Sequence, residues 1–256
     1  MASIFALADL HLSFGVSNKE MDFFGEQWKN WTARLKENWC DLIKNEDLVL
    51  IAGDISWALH PEEAKADLEF IHALPGTKVL LKGNHDFWWN SLSKVEKILP
   101  PSLHLIQNNS FLWNNIAIGG ARLWDTSEYQ FGAYIEYQEN PRAKKLISVD
   151  PDSKENERIF KRELERLELS LKSLSKNADA RIAMTHYPPI SADLKDSRAS
   201  LILEKYGIDA AVFGHLHNVK QDTPIFGKKN GINYYLTSCD YLNFKPIRID
   251  IRRGVL

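Results

Sequence analysis

Five short polar clusters, each standing where an apolar run breaks into a turn, constrain this chain more than any other feature. In order they are Asp9-Leu10-His11, Gly53-Asp54, Gly83-Asn84-His85-Asp86, Thr185-His186 and Gly214-His215-Leu216-His217. The runs ahead of them, at 4–8, 48–52, 79–81, 182–184 and 210–213, have the length and apolarity of buried strands. Strands that share a sheet edge would bring these polar ends together.

Composition supports a domain large enough to hold such a sheet. The chain has 256 residues, 44% of them hydrophobic and 26% charged, which suits one large α/β domain with a single core. Net charge is -2 and the lysines and arginines are scattered, so no broad cationic field is available for a nucleic-acid backbone. A local basic groove is still allowed. The beginning of the chain lacks a positively charged leader, and no stretch has the length and apolarity of a membrane span. Cys40 and Cys239 form neither a paired-thiol motif nor a disulfide framework, so the expectation is two small buried thiols in a reducing cytoplasm.

Helical signals alternate with the first three runs. Trp28, Trp31, Leu35, Trp39 and Leu42 recur three or four apart and predict a helix over 27–44 whose aromatic stripe packs into the core. Pro61 opens a second helix, with Ala64, Leu68 and Ile71 on its buried face and Pro75-Gly76 as its stop. The first hundred residues therefore read as strand and helix three times over, which predicts parallel crossovers. Further on, Asn114-Asn115 between two apolar runs predicts a hairpin turn at positive φ. Residues 125–157 are polar, contain Tyr129, Tyr134 and Tyr137 and show no period, which suggests an insertion or lid-like loop over the site. A charged amphipathic helix is expected over 154–176, and alternating strands at 231–238 and 247–251 are expected to extend a second sheet.

Side chains two apart on an extended chain point the same way, so Asp9 and His11 can grip one ion, as can His215 and His217. Asp54 offers two carboxylate oxygens, one for each of two cations, and Asn84 adds a neutral amide oxygen. With His186 the set comprises two carboxylates, one amide and four imidazoles. That mixture, without a thiolate, suits Mn, Fe, Zn or Ni over Ca and Mg. Two such cations roughly 3.5–4 Å apart generate a hydroxide near neutral pH and clamp both oxygens of an in-line displacement, for which a phosphate ester is the natural electrophile. His85 is the candidate to stabilise phosphoryl oxygens or protonate the leaving alcohol, with Asp86 orienting it. The bland alternative for each cluster is a polar cap on a strand end.

The five clusters, taken in this order from residue 9 to 217, resemble the motif series of the calcineurin-like metallophosphoesterase superfamily. The resemblance implies an αββα sandwich of two mixed sheets flanked by helices, two divalent metals such as Mn, Fe or Zn, and hydrolysis of phosphomonoesters, phosphodiesters or pyrophosphates. It implies Asp9, His11, Asp54 and His217 around the first metal, Asp54, Asn84, His186 and His215 around the second, and His85 beside the substrate phosphate. Protein phosphatases of that superfamily carry a second Asp and an Arg-Gly pair after the bridging Asp, whereas this chain reads Gly53-Asp-Ile-Ser-Trp-Ala58. Its pattern is more similar to small bacterial phosphohydrolases.

Two neighbours are candidates for substrate contact. Trp88, with Phe87 and Trp89, offers an aromatic wall for a nucleobase or aryl group, against the alternative of core packing. Arg122 offers a planar guanidinium for phosphate, against the alternative of an ion pair. The expected function is a cytoplasmic, metal-dependent phosphoesterase acting on a small phosphorylated substrate, neither a membrane protein nor a preferred nucleic-acid binder. The alternatives are a nuclease, or a metal-holding scaffold without turnover.

Overall fold

Each predicted run becomes a strand because its side chains are buried on both faces. The structure, a computed structural model, describes residues 2–136, 153–221 and 223–251. Strands β1 (Ile4–Leu7), β2 (Leu48–Ile51) and β3 (Thr77–Leu81) pair in parallel. Parallel neighbours require crossovers, and helices α1 (Trp31–Leu42) and α2 (Pro61–Ala73) supply the first two. Helix α2 begins as its sequence indicates, with Pro61 in the first turn and the Glu63 carboxylate accepting the amides of Leu59 and His60. Its far end is closed by Lys78, whose buried ammonium donates to the carbonyls of His72 and Leu74.

Helix α1 is shorter than the sequence period suggested. Asn30 adopts a left-handed conformation with φ 51°, so Trp28 falls in a preceding 3-10 turn rather than on the helix. The third crossover contracts to α3 (Leu92–Val95) and a 3-10 turn, and it leads to an unforeseen parallel strand, β4 (Leu103–Ile106).

The second sheet starts with the hairpin of β5 (Ser110–Trp113) and β6 (Ile116–Ala121), turned by Asn114 and Asn115 at φ 44° and 65°. Helix α4 (Lys154–Lys172), β7 (Ala180–Thr185), helix α5 (Arg198–Lys205) and β8 (Ala210–Phe213) follow, and then β9 (Gly227–Lys229) and β10 (Ile232–Leu236). The strand order is β5-β6-β7-β8-β10-β9. The last strand, β11 (Ile247–Arg248), does not extend this sheet as expected. It pairs antiparallel with β1 and makes the first sheet β11-β1-β2-β3-β4. The cause is local: the Ala8–Ser238 bridge, in which the Ala8 amide donates to the Thr237 carbonyl and the Ala8 carbonyl accepts the Cys239 amide, brings the tail beside the open edge of β1.

Two mixed sheets of five and six strands thus stack face to face with helices outside them. Three apolar cores hold the four layers together. Ile4, Ala6, Leu48, Leu50 and Val79 meet Ile118, Ile182, Met184 and Val212 between the sheets. The opposite faces of β1 to β3 pack on α1 and α2, and those of β6 to β8 on α4 and α5. Complete burial of one such Leu or Ile contributes roughly 1.5–3 kcal/mol. Cys239 is buried as expected, whereas Cys40 lies on the exposed face of α1. His104 belongs to β4 and stacks on Phe111. No helix among the described residues is long and apolar enough to cross a membrane. Of the segment read as an insertion, 137–152 and with it Tyr137 lie outside the described residues.

Candidate metal centre

Because β1, β2 and β3 run parallel to one another, as do β7, β8 and β10, the chain leaves each group of strands at one common edge. Asp9, Asp54 and Asn84 follow β1, β2 and β3, and His186 and His215 follow β7 and β8. Asp9, His11, Asp54 and His215 have φ of 58°, 46°, 52° and 72°. Left-handed backbone at a side-chain-bearing residue costs about 1–3 kcal/mol, and its clustering here turns four ligand-type groups sharply out of their strands. Gly53, itself at φ 99°, approaches the His186 ring so closely that a Cβ would collide with it.

The side chains converge. Ligand atoms of Asp9, His11 and His217 all lie within 4.8 Å of one another, and so do those of Asp9, Asp54 and His186. Asp54 faces two ways: Oδ2 is 3.8 Å from Nε2 of His11, and Oδ1 is 3.5 Å from Nε2 of His186. Asn84 Oδ1 stands 2.7 Å from Nε2 of His186 and 3.2 Å from Nδ1 of His215. Nε2 of His11 and Nε2 of His217 face each other at 3.3 Å.

Hydrogen bonds fix two of the rings. His186 donates Nδ1–H to the Ala52 carbonyl at 3.0 Å, and His217 donates Nδ1–H to Asp240 at 2.9 Å, which leaves both Nε2 atoms aimed at the carboxylates. A histidine that ligates a metal characteristically anchors its other nitrogen in this way. The donor set, oxygen and imidazole with anchored rings, fits divalent transition-metal ions.

The electrostatics tell the same story. Burial raises Asp9 to about 6, opposed by His217 and His186, while burial lowers His11 to about 3. Burial works against the charged forms of Asp54 and His186, but their mutual attraction wins: Asp54 falls well below its usual range and His186 rises to about 9. His217 likewise rises to about 9 against its burial because Asp240 faces it. A divalent cation at these atoms would compete with protons for the same nitrogens and oxygens.

His85 is half-buried beside this cluster, its amide donating to Asp54 Oδ1 at 2.8 Å. Its ring lies 4.6 Å from Trp57 and edge-on to exposed Phe87. Asp86 has a different place from the one expected. Fully buried, it accepts the amides of Gly83, Ile55 and Ser56 and the indole N–H of Trp88, so it ties the Asp54 and Asn84 loops together rather than orienting the His85 ring. Trp88 is 0% exposed, so it presents no face to a ligand and belongs to the core. Arg122 lies outside the cluster, 3.6 Å from Glu163 and over the Trp124 ring.

Three contributors escaped sequence reasoning. Asp240, which anchors His217, follows β10 much as the ligand-type residues follow their strands, and that signal was available. Trp57 stacks on His11 with centroids 4.8 Å apart, and Trp28 sits edge-on to His11 at 6.0 Å. Neither carries a sequence signal beyond being aromatic.

No curated protein matches the chain. Among solved structures, the phosphopantetheinyl hydrolase of Mycobacterium tuberculosis is 13% identical with TM-score 0.51, over 97% of this chain and 95% of that one. The calcineurin-like phosphoesterase YfkN of Bacillus subtilis is 16% identical with TM-score 0.48, over 99% of this chain and 86% of that one. At 13% identity the likeness to the hydrolase speaks for the fold alone. Residues 2–219, most of the chain and all five polar clusters, match the calcineurin-like phosphoesterase family, and the chain belongs to that family.

Proposed function

We propose that this protein is a cytoplasmic phosphohydrolase that cleaves a small phosphodiester or phosphomonoester at a pair of divalent metal ions, with Mn, Fe or Zn as the candidates. One observation carries the two-ion reading: the oxygens of Asp54 are divided between His11 and His186, as a carboxylate shared by two cations requires. Asp9, His11 and His217 with Asp54 would hold one ion, and Asn84, His186 and His215 with Asp54 the other. When bound, such a pair supplies an activated water and withdraws charge from the phosphoryl oxygens.

The chain's own groups supply the rest. His85 stands beside Asp54, half-buried, and its ring is the group to stabilise developing charge on a phosphoryl oxygen or to protonate the departing alcohol. Trp57, packed on His11 and His85, limits water on one side, and Phe87 offers an exposed face for the leaving group. Asp86 acts at one remove by fixing the two loops that present Asp54 and Asn84.

The test is hydrolysis of aryl phosphodiesters, aryl phosphomonoesters, cyclic nucleotides and oligonucleotides by protein loaded with Mn, Zn or Fe. Turnover of a small ester, abolished by chelation and restored by metal, is expected. Chelator-insensitive turnover, or turnover of oligonucleotides alone, would overturn the reading.

A further inference from the structure

One strand along from the metal-centre exits, the same edge of the sandwich holds a second cavity of about 250 Å³. Its charged lining is Lys82, Arg122, Arg162, Arg166 and Glu163, four cations and one anion among the described residues, a formal excess of three positive charges. In a chain whose net charge is -2, that concentration is local. Lys82 leaves β3 just ahead of Asn84, and Arg122 leaves β6, the neighbour of β7. The Arg122 carbonyl accepts the amides of His186 and Tyr187 at 3.1 and 3.0 Å, which locks this wall to the loop that presents His186. At one or two strand spacings, the cavity lies on the order of 5–10 Å along the edge from the ligand cluster.

Glu163 does not neutralise the cluster. Its side chain is 2% exposed, and three guanidiniums crowd one of its oxygens: Arg166 hydrogen-bonds Oε1 at 2.7 Å, while Arg122 and Arg162 stand off at 3.6 and 3.7 Å. The last two are beyond hydrogen-bond reach. The carboxylate therefore takes one donor from Arg166 and none from Arg122 or Arg162, and Arg162 and Arg166 remain about half exposed. Planar guanidinium forks lining a cavity match the tetrahedral oxygens of phosphate better than a point cation does. A dianion would offset most of the excess charge, and the volume accommodates a phosphate with several waters of about 30 Å³ each.

We propose that this cavity is a second anion site, separate from the metal centre, which holds a phosphate group through Arg122, Arg162, Arg166 and Lys82. That group belongs either to a substrate carrying two phosphates, one scissile and one held here, or to free phosphate. The substrate form of the proposal rests on the phosphohydrolase reading; the binding site itself does not.

The direct test is calorimetric titration of the full chain with inorganic phosphate at pH 8 in excess chelator, where metal chemistry plays no part. Saturable binding is expected, weakened about tenfold or more in Arg162→Gln, since a lost charge-assisted hydrogen bond is worth roughly 1.5–3 kcal/mol. Arg162 makes no hydrogen bond to Glu163, so this variant should keep its thermal stability, and Lys82→Met provides an independent second wall. No saturable binding in the wild type, or equal binding in both variants, overturns the site. A second arm compares adenosine 3′,5′-bisphosphate with adenosine 5′-monophosphate on Mn-loaded protein. A rise in KM confined to the bisphosphate in Arg162→Gln assigns the site to the substrate's own second phosphate. Unchanged kinetics on both, with phosphate binding lost, assigns it to free phosphate. Failure to cleave either compound counts against the phosphohydrolase reading and leaves the titration to decide the cavity.

Discussion

The two sheets contribute unlike halves to the centre. The first supplies both carboxylates and the amide, Asp9, Asp54 and Asn84, together with His11, with left-handed backbone at Asp9, His11 and Asp54. The second supplies imidazoles, His186, His215 and His217, held in place by acceptors on other segments: Ala52 for His186 and Asp240 for His217. One half contributes the negative charge and most of the left-handed backbone, and the other, where His215 alone of the candidate ligands is left-handed, contributes oriented imidazoles. Neither makes a site alone, so the centre forms only when the sheets dock, and the inter-sheet core is part of the chemistry.

Removing charge from the first half should have the largest effect. Asp54→Asn takes away the carboxylate that faces both His11 and His186, and hydrolysis is expected to fall to background as metal is lost with it. Retained activity would mean that Asp54 does not hold the two halves together. His85→Ala leaves both sets of candidate ligands intact and should slow turnover by roughly 10²–10⁴ with metal content unchanged. A parallel loss of metal would make His85 a supporting residue instead. On the second half, Asp240→Asn weakens the anchor of His217 and the acceptor of the Asn218 amide, and removes no candidate ligand. Metal affinity, followed by competition with a chromogenic chelator, should drop about 10–100-fold. An unaltered affinity would show that orientation is not what this half contributes.

The smallest effect concerns Asp67, which lies behind the first half. It accepts the Phe14 amide and the Ser56 hydroxyl, two residues beyond Asp54, and burial raises its pKa from 3.8 to about 6. A folded pKa above the unfolded one means that the folded state binds the proton more tightly. The resulting stabilisation is complete below about pH 4 and is lost as pH rises through 6. Asp67→Asn cannot ionise, so its stability relative to wild type should improve by about 2 kcal/mol between pH 4 and pH 8 in denaturant titrations. A difference that does not change with pH would remove this account of Asp67.

Much of this architecture was legible because the informative residues are local. A buried parallel strand reads as a short apolar run, and a ligand-type residue just past its end needs no tertiary knowledge to be noticed. That is why Asp9, Asp54, Asn84, His186 and His215 stand where the strand pattern put them. The chain hides what depends on long-range pairing. The partner of β11 is decided by the bridge between Ala8 and Ser238, not by the alternation of residues 247–251. Strand β4 is obscured by Pro100-Pro101 ahead of it and half-buried His104 within it. Asp86 looked like an orienting residue because it adjoins His85, yet adjacent side chains diverge and its carboxylate turns inward to four N–H donors. Trp88 looked like a wall for the same reason, and the same inward turn buries it.

The proposed centre consists of two sheet edges closing around two cations with Asp54 between them. Anomalous scattering from a crystal equilibrated with manganese tests this most directly. The predicted result is two peaks flanking the Asp54 carboxylate, one among Asp9, His11 and His217 and one among Asn84, His186 and His215. A single peak away from Asp54, or no peak in this cluster at all, would contradict it.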